Sequence, residues 1–366
     1  MALAPSPAPA RIVRVLLVDD SAVVRGLMQR WLGAEPGIEI AGVAINGREG
    51  VRLAADLKPD VMVLDVEMPE LDGIGAIPQI LSASPQTRIL MASTLTHRNA
   101  DITLRALALG AADYLAKPET GKISAAAEFK RDLISRIRAL GQRPRLAAAS
   151  GVRDAAPAAR PAPSASLRPA PTKPAEIIVI GCSTGGPQAL NKVIAAIGAK
   201  VTQPILIVQH MPAMFTRIMA EHLAKLTPAP VSEARDGQPL RPGQILIAPG
   251  DFHMRVVRRH GAPVIALDHG PQINFCRPAV DPLFQSVAQE YGSSVFGAIL
   301  TGMGADGRKG AEAIVGRGGA VMAQDEPTSV AWGMPGAVVG AGLACAIKGI
   351  DEFGPALIAL AQGKKP

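Results

Sequence analysis

Two sets of residues in this chain have the types and spacing to do chemistry. The first is acidic. Asp19 and Asp20 follow an apolar run at 12–18, and Asp65 follows another at 61–64. Ser93 comes straight after a run at 89–92, and Lys117 after one at 113–116. Carboxylates that meet at strand ends offer hard oxygen ligands, which suit Mg2+. With a hydroxyl and a lysine beside them, they can hold a phosphoryl group. Each of these residues alone also reads as a solvated loop charge; together, in register, they form a constellation.

The second set opens with Gly181-Cys182-Ser183-Thr184-Gly185-Gly186-Pro187, between a buried run at 177–180 and an amphipathic stretch at 188–197. A serine on a tight strand-to-helix turn has its Oγ pushed clear of the sheet, and flanking glycines permit the turn. Backbone N–H groups at the helix start can stabilise an oxyanion. The same segment is compatible with a glycine-rich phosphate loop or a plain turn. His210 follows the next run, 204–208, and a histidine at a neighbouring strand end can reach Ser183. His253 is the rival histidine. Asp306 lies in a glycine-rich turn after the run 295–300, where it serves either as a helix cap or as the carboxylate that orients His210. The order Ser, His, Asp differs from the Ser, Asp, His of α/β-hydrolases, so the G-x-S-x-G match does not imply that fold.

These residues need scaffolds. In 11–142, five short apolar runs (12–18, 38–45, 61–64, 89–92, 113–116) alternate with amphipathic stretches such as 22–32, 47–57 and 100–109. That pattern predicts a doubly wound (βα)5 parallel sheet, with ligands at the carboxyl ends of its strands. Residues 143–174 are the expected linker: from Pro144 to Pro174 there are 7 Pro and 10 Ala, with no sustained period. Residues 175–362 are the expected second domain, a three-layer α/β/α fold on a mostly parallel sheet.

Composition narrows the function. The net charge of +7 is concentrated in 123–174, which carries +7, against −2 over 1–122 and +2 over 175–366. A solvated basic tether or a docking patch for an acidic partner accounts for it. The segment has no interleaved aromatics to stack bases, so no nucleic-acid partner is expected. Three cysteines make no disulfide framework, and a reducing compartment fits. The N-terminus lacks the charged and apolar regions of a signal peptide, and the apolar run 337–347 is too short to span a bilayer. A cytoplasmic chain with no membrane insertion is expected.

Val-Asp-Asp-Ser at 18–21, Leu-Asp-Val-Glu-Met-Pro at 64–69 and Lys117-Pro118 resemble the receiver domain of two-component response regulators. The resemblance implies that Asp65 accepts a phosphoryl group from a chemotaxis histidine kinase. Asp19, Asp20 and Asp65 would hold Mg2+, and Lys117 would pair with the phosphoryl oxygens. Ser93 and Tyr114 would form the switch pair. The blocks at 181–187, 209–212, 248–254, 277–281, 300–307, 323–325 and 333–335 together resemble the catalytic domain of the chemotaxis protein-glutamate methylesterase (CheB) family. That resemblance implies a Ser183–His210–Asp306 triad. It would hydrolyse γ-methyl esters of glutamates on methyl-accepting chemotaxis receptors and deamidate particular glutamines. Met303 would lend a backbone N–H to the oxyanion with Thr184 helping, and the ester chemistry would need no cofactor. One block departs from the family: Ala279-Val280-Asp281-Pro282 has Ala where Ser is usual, and an added Pro. The alternatives are a receiver-gated esterase acting on another ester class and a non-enzymatic DNA-binding regulator. The second would need a basic recognition helix, and 175–366 has no helix-turn-helix pattern.

Overall fold

The computed structural model describes residues 11–94, 96–117, 123–141, 167–198 and 200–364. The chain divides into two compact units, 1–152 and 153–366. Pro118 and linker residues 143–166 lie outside the described residues.

The first unit runs β1 (Val13–Val18), α1 (Ala22–Gly33), β2 (Ile38–Ala44), α2 (Gly47–Leu57), β3 (Val61–Asp65), α3 (Gly73–Ala83), β4 (Arg88–Thr94), α4 (His97–Ala108), β5 (Asp113–Lys117) and α5 (Ile123–Gly141). Its five strands are parallel in the order β2-β1-β3-β4-β5. The chain reverses direction across the sheet between β1 and β3, which opens a crevice at their carboxyl ends. β3 is buried at every position, as a strand covered on both faces must be. Side-chain caps start the helices: Ser21 accepts from Val24 N, Asp72 from Gly75 N and Thr96 from Asn99 N. At α2 the cap is a reciprocal box, with Asn46 accepting from Glu49 N while Glu49 accepts from Ile45 N.

The second unit runs β6 (Ile177–Cys182), α6 (Gly186–Ile197), β7 (Ile205–Gln209), α7 (Ala213–Ala224), β8 (Val231–Glu233), β9 (Ile245–Ile247), β10 (His253–Arg259), β11 (Ala262–Asp268), α8 (Val280–Tyr291), β12 (Val295–Ile299), α9 (Arg308–Gly316), β13 (Ala320–Gln324), α10 (Gly333–Gly340), β14 (Ala344–Lys348) and α11 (Ile350–Ala361). Seven strands form a wholly parallel sheet in the order β14-β13-β12-β6-β7-β9-β8. β10 and β11 make a separate antiparallel ribbon. Helices α6, α7 and α11 pack as one layer, and α8, α9 and α10 as another. The core between sheet and helices is aliphatic, with Phe284 and Phe296 among its few aromatics. β6 sits where the strand order reverses, between β7 and β12. The carboxyl ends of these three strands therefore face one crevice.

The described part of the expected linker, from residue 167, lies against this second unit. Arg168 donates its backbone N–H to Ala344 O at 2.9 Å and its Nε–H to Gly342 O at 3.1 Å.

Candidate active site

Ser183 leaves β6 and enters the turn that starts α6. Its N–H donates to Thr301 O (3.0 Å) and its carbonyl accepts from Gly186 N (2.7 Å). Gln209, the last residue of β7, donates its Nε2–H to the same carbonyl at 3.0 Å. A Cβ on Gly186 would lie 1.9 Å from Gln209 Oε1, so only glycine lets the amide reach the serine. Thr301, just past β12, ties the turn from the other side: its Oγ donates to Thr184 O at 2.8 Å, and its own N–H is held by Gln324 Oε1 at 2.9 Å. The backbone of the 183–186 turn is thus fixed by three adjacent strand ends.

His210 follows Gln209 directly, and its Nε2 lies 2.8 Å from Asp306 Oδ2. Asp306 is buried, yet its carboxyl stays below the ordinary carboxylate range. Burial opposes this, but the His210 hydrogen bond and charge and the backbone N–H groups of Val280 and Asp281 outweigh it. A carboxylate has no proton to give, so Nε2 carries the ring proton and Nδ1 is the basic nitrogen. Nδ1 faces Cys276 Sγ at 3.4 Å. Burial disfavours the imidazolium, but the Cys276 sulfur and the Asp306 carboxylate outweigh it and raise the proton affinity of His210.

Asp306 and Asp281 cap one another's helices. Asp306 accepts from Val280 N (2.6 Å) and Asp281 N (3.2 Å) at the start of α8. Asp281, inside α8, accepts from Gly307 N (3.0 Å) and Gly310 N (2.7 Å) at the start of α9. The departure at 279–282 is absorbed here. Ala279 has no capping side chain, and Asp306 caps α8 in its place. Pro282 falls in the first helical turn, where its missing N–H has no intrahelical partner to lose. His253 is taken up elsewhere: Nδ1 accepts from Ala279 N at 3.2 Å, and Nε2 lies 3.0 Å from Pro271 O. It buttresses the approach to α8.

In the first unit, one carboxylate oxygen from each of Asp19, Asp20 and Asp65 can converge within 4.8 Å. Lys117 Nζ lies 2.8 Å from Asp19 and 2.7 Å from Asp65. Burial pushes Asp65 up to about 6; Lys117 pulls it down and Asp19 adds to the rise. Three hard oxygen donors with an excess of negative charge fit a divalent cation such as Mg2+. Ser93 is buried on β4, one residue past Ala92, the cross-strand partner of Asp65. Tyr114 is buried too, with the Arg136 guanidinium 5.7 Å from its ring centroid and Arg136 paired to Asp113.

Residues 178–357 match the family model described as CheB methylesterase, and residues 15–128 match the response regulator receiver domain. The chain is 48% identical to a protein-glutamate methylesterase/protein-glutamine glutaminase of Maricaulis maris, with 99% of each chain covered. It is 49% identical to a second enzyme of that name from Caulobacter vibrioides, covering 96% of this chain and 99% of that one. The crystal structure of the Thermotoga maritima CheB methylesterase catalytic domain is similar at a TM-score of 0.50 and 41% identity, over 51% of this chain and 98% of that one.

The chain belongs to the CheB methylesterase family.

Membership gives the two sites one context, a receiver followed by a hydrolase. Both expected folds are present, and the second sheet is fully parallel. Of the expected catalytic residues, His210 and Asp306 are hydrogen-bonded, and Ser183 stands on the adjoining strand end. Thr184 is buried and its hydroxyl has no hydrogen-bond partner among the described residues. Sequence reasoning missed Gln209, Thr301, Gln324 and Asp281 as supports. Gln209 was adjacent to a singled-out histidine, but nothing in its spacing pointed to the Ser183 carbonyl. Among the described residues, no helix is long and apolar enough to cross a membrane.

Proposed function

We propose that Ser183, His210 and Asp306 carry the protein-glutamate methylesterase and protein-glutamine deamidase activities of this chain, under control of Asp65. Ser183 Oγ attacks the ester carbonyl while His210 Nδ1 takes its proton. Asp306 holds the Nε2–H and stabilises the imidazolium. The backbone N–H of Met303, with Thr184 helping, receives the oxyanion, each donor worth roughly 2.7–4 kcal/mol when aligned. His210 then protonates the leaving methoxide, giving methanol and an acyl-serine. Water enters, gives its proton to Nδ1 and attacks the acyl carbon, and the glutamate carboxylate leaves as Ser183 regains its proton. With a glutamine substrate the same steps release ammonia.

The observation that carries this reading is the 2.8 Å His210–Asp306 pair on the strand end next to Ser183. The substrates are methyl-accepting chemotaxis receptors. In the receiver, Asp19, Asp20 and Asp65 would hold Mg2+, which when bound neutralises phosphoryl oxygens during transfer to Asp65 from a histidine kinase. Lys117 would then pair with the phosphoryl group. Ser93 and Tyr114 would respond to it. Domain limits of 11–142 and 175–362 fit this division of labour, with 167–174 packed on the hydrolase unit.

The test is methanol release from methylated receptor, with and without a small phosphodonor plus Mg2+. Wild-type chain should release methanol, faster with the phosphodonor. Ser183→Ala should fold normally and lose activity by roughly 10^5–10^6-fold, the scale seen when a serine-hydrolase nucleophile is removed. Wild-type turnover by Ser183→Ala would end the acyl-serine mechanism.

A further inference from the structure

Cys276 sits at the end of a two-residue hairpin. Ile273 and Cys276 exchange both backbone hydrogen bonds, at 3.1 and 2.9 Å. The two residues between them, Asn274 and Phe275, both have positive φ, 51° and 62°. A phenylalanine in that conformation is strained, and strained backbone persists where the surrounding structure holds a side chain in a required place. Here the turn delivers a thiol to the catalytic imidazole. Cys276 Sγ lies 3.4 Å from His210 Nδ1 and 3.4 Å from Asn274 O. The thiol has one proton, and the imidazole nitrogen is a far stronger base than a carbonyl, so the S–H turns to Nδ1. The chain's other two cysteines, Cys182 and Cys345, are buried in the second unit's sheet.

Nδ1 has a single lone pair. Nε2–H is committed to Asp306, so Nδ1 is the nitrogen that Ser183 needs as its base. We propose that Cys276 is a positioning residue that holds His210 at rest: its thiol occupies the ring nitrogen on which Ser183 depends, and catalysis starts when bound substrate brings the serine hydroxyl into its place. The inference rests on the proposed function of the triad. The charged and titratable neighbours are few. Asp306 faces Nε2, and Asp281 lies behind it across the α8–α9 junction. Arg277, next to Cys276, is directed to Asp251 and to the carbonyls of His269 and Gly270. The strand-end residues Gln209 and Ser183 are neutral.

The consequence is kinetic. The thiol competes in the free enzyme, whereas in the substrate complex the hydroxyl has already replaced it. Removing the thiol therefore raises kcat/KM and leaves kcat unchanged.

The experiment is the substrate dependence of methanol release near neutral pH, giving kcat and kcat/KM for the full-length chain on methylated receptor, for wild type, Cys276→Ala, Cys276→Ser and Ser183→Ala. Cys276→Ala should raise kcat/KM near neutrality by roughly two- to tenfold, the worth of one hydrogen bond, and leave kcat unchanged. Cys276→Ser keeps a hydroxyl donor at the same place. It should bring kcat/KM back to near the wild-type value, so it tests the idea even if Cys276→Ala folds poorly. An unchanged kcat/KM in Cys276→Ala, or a lower kcat in that variant, would overturn the proposal. Failure of the underlying triad reading looks different: wild type would be inactive, or its activity would survive Ser183→Ala.

Discussion

A serine hydroxyl is a weak nucleophile, and the proposed role of Ser183 depends on single residues around it. The carboxylate of Asp306 is kept charged in a dry setting by donors aimed at it, and its bond to Nε2 leaves Nδ1 as the basic nitrogen of His210. Close approach matters as much as charge. A Cβ on Gly302 would lie 2.3 Å from Met334 Sδ and 3.1 Å from Ser183 Cβ. Gly302→Ala must displace the methionine, the serine or both. It should cost about 1–3 kcal/mol of stability as an overpacking change and lower turnover roughly 10- to 100-fold by misplacing the nucleophile. Thermal unfolding alongside methanol release checks both, and full activity would show that Met334 alone gives way.

At the scale of elements, the site depends on two helices that start correctly only together. Asp306 precedes α9 but caps α8, and Asp281 belongs to α8 but caps α9. Asp281→Ala strips Gly310 N–H of its acceptor inside the fold. The cost should be about 1–3 kcal/mol, with lower esterase activity because α9 and α8 no longer fix Asp306. Asp281→Asn retains an acceptor oxygen and relieves the repulsion that Asp306 exerts on a buried carboxylate, whose pKa burial already raises. It should lose far less than the alanine variant. Urea midpoints for the two variants, measured beside turnover, decide the point; equal losses would mean that Asp281 acts by charge and not by capping.

The whole molecule couples a phosphorylation site to an esterase through a stretch rich in proline and alanine. Joining two units on one chain acts first by proximity. It maintains an effective concentration that can reach about the mM range, so a weak and phosphorylation-sensitive association is enough for control. Asp65→Asn should abolish phosphoryl uptake and stimulation while basal methanol release persists. Activation surviving in that variant, or phosphate mapping to another residue, would count against Asp65. A fragment beginning at Leu167 keeps the Arg168 contacts with Ala344 and Gly342. It should exceed the unphosphorylated full chain in turnover. Equality with the phosphorylated chain would mean relief of a block; a faster phosphorylated chain would mean active stimulation as well. A folded fragment no faster than the unphosphorylated chain would exclude inhibition by the receiver.

Local pattern was enough to read β1–β7 and β12 but not β8–β11, β13 or β14, because a strand buried on both faces must be continuously apolar and must end where polar residues begin. Asp65, Ser183 and His210 were therefore legible as strand-end residues, and the helix starts at Ser21, Asn46 and Asp72 carry their own caps. Spacing along the chain also separated the two units, since a proline- and alanine-rich stretch cannot build a core. What it could not reveal were meetings between residues far apart in sequence. Asp306 had a sufficient local explanation as a cap of its own helix, and only the packing of α8 on α9 turned its carboxylate to His210 and Val280. His253 stayed a rival to His210 until the ribbon β10–β11 placed it under Ala279. Cys276 carried no signal at all, because its partner is 66 residues away and the hairpin that presents it uses left-handed residues without glycine. Strand ends follow from one segment's hydrophobicity, whereas hydrogen bonds between loops depend on how every strand and helix is stacked.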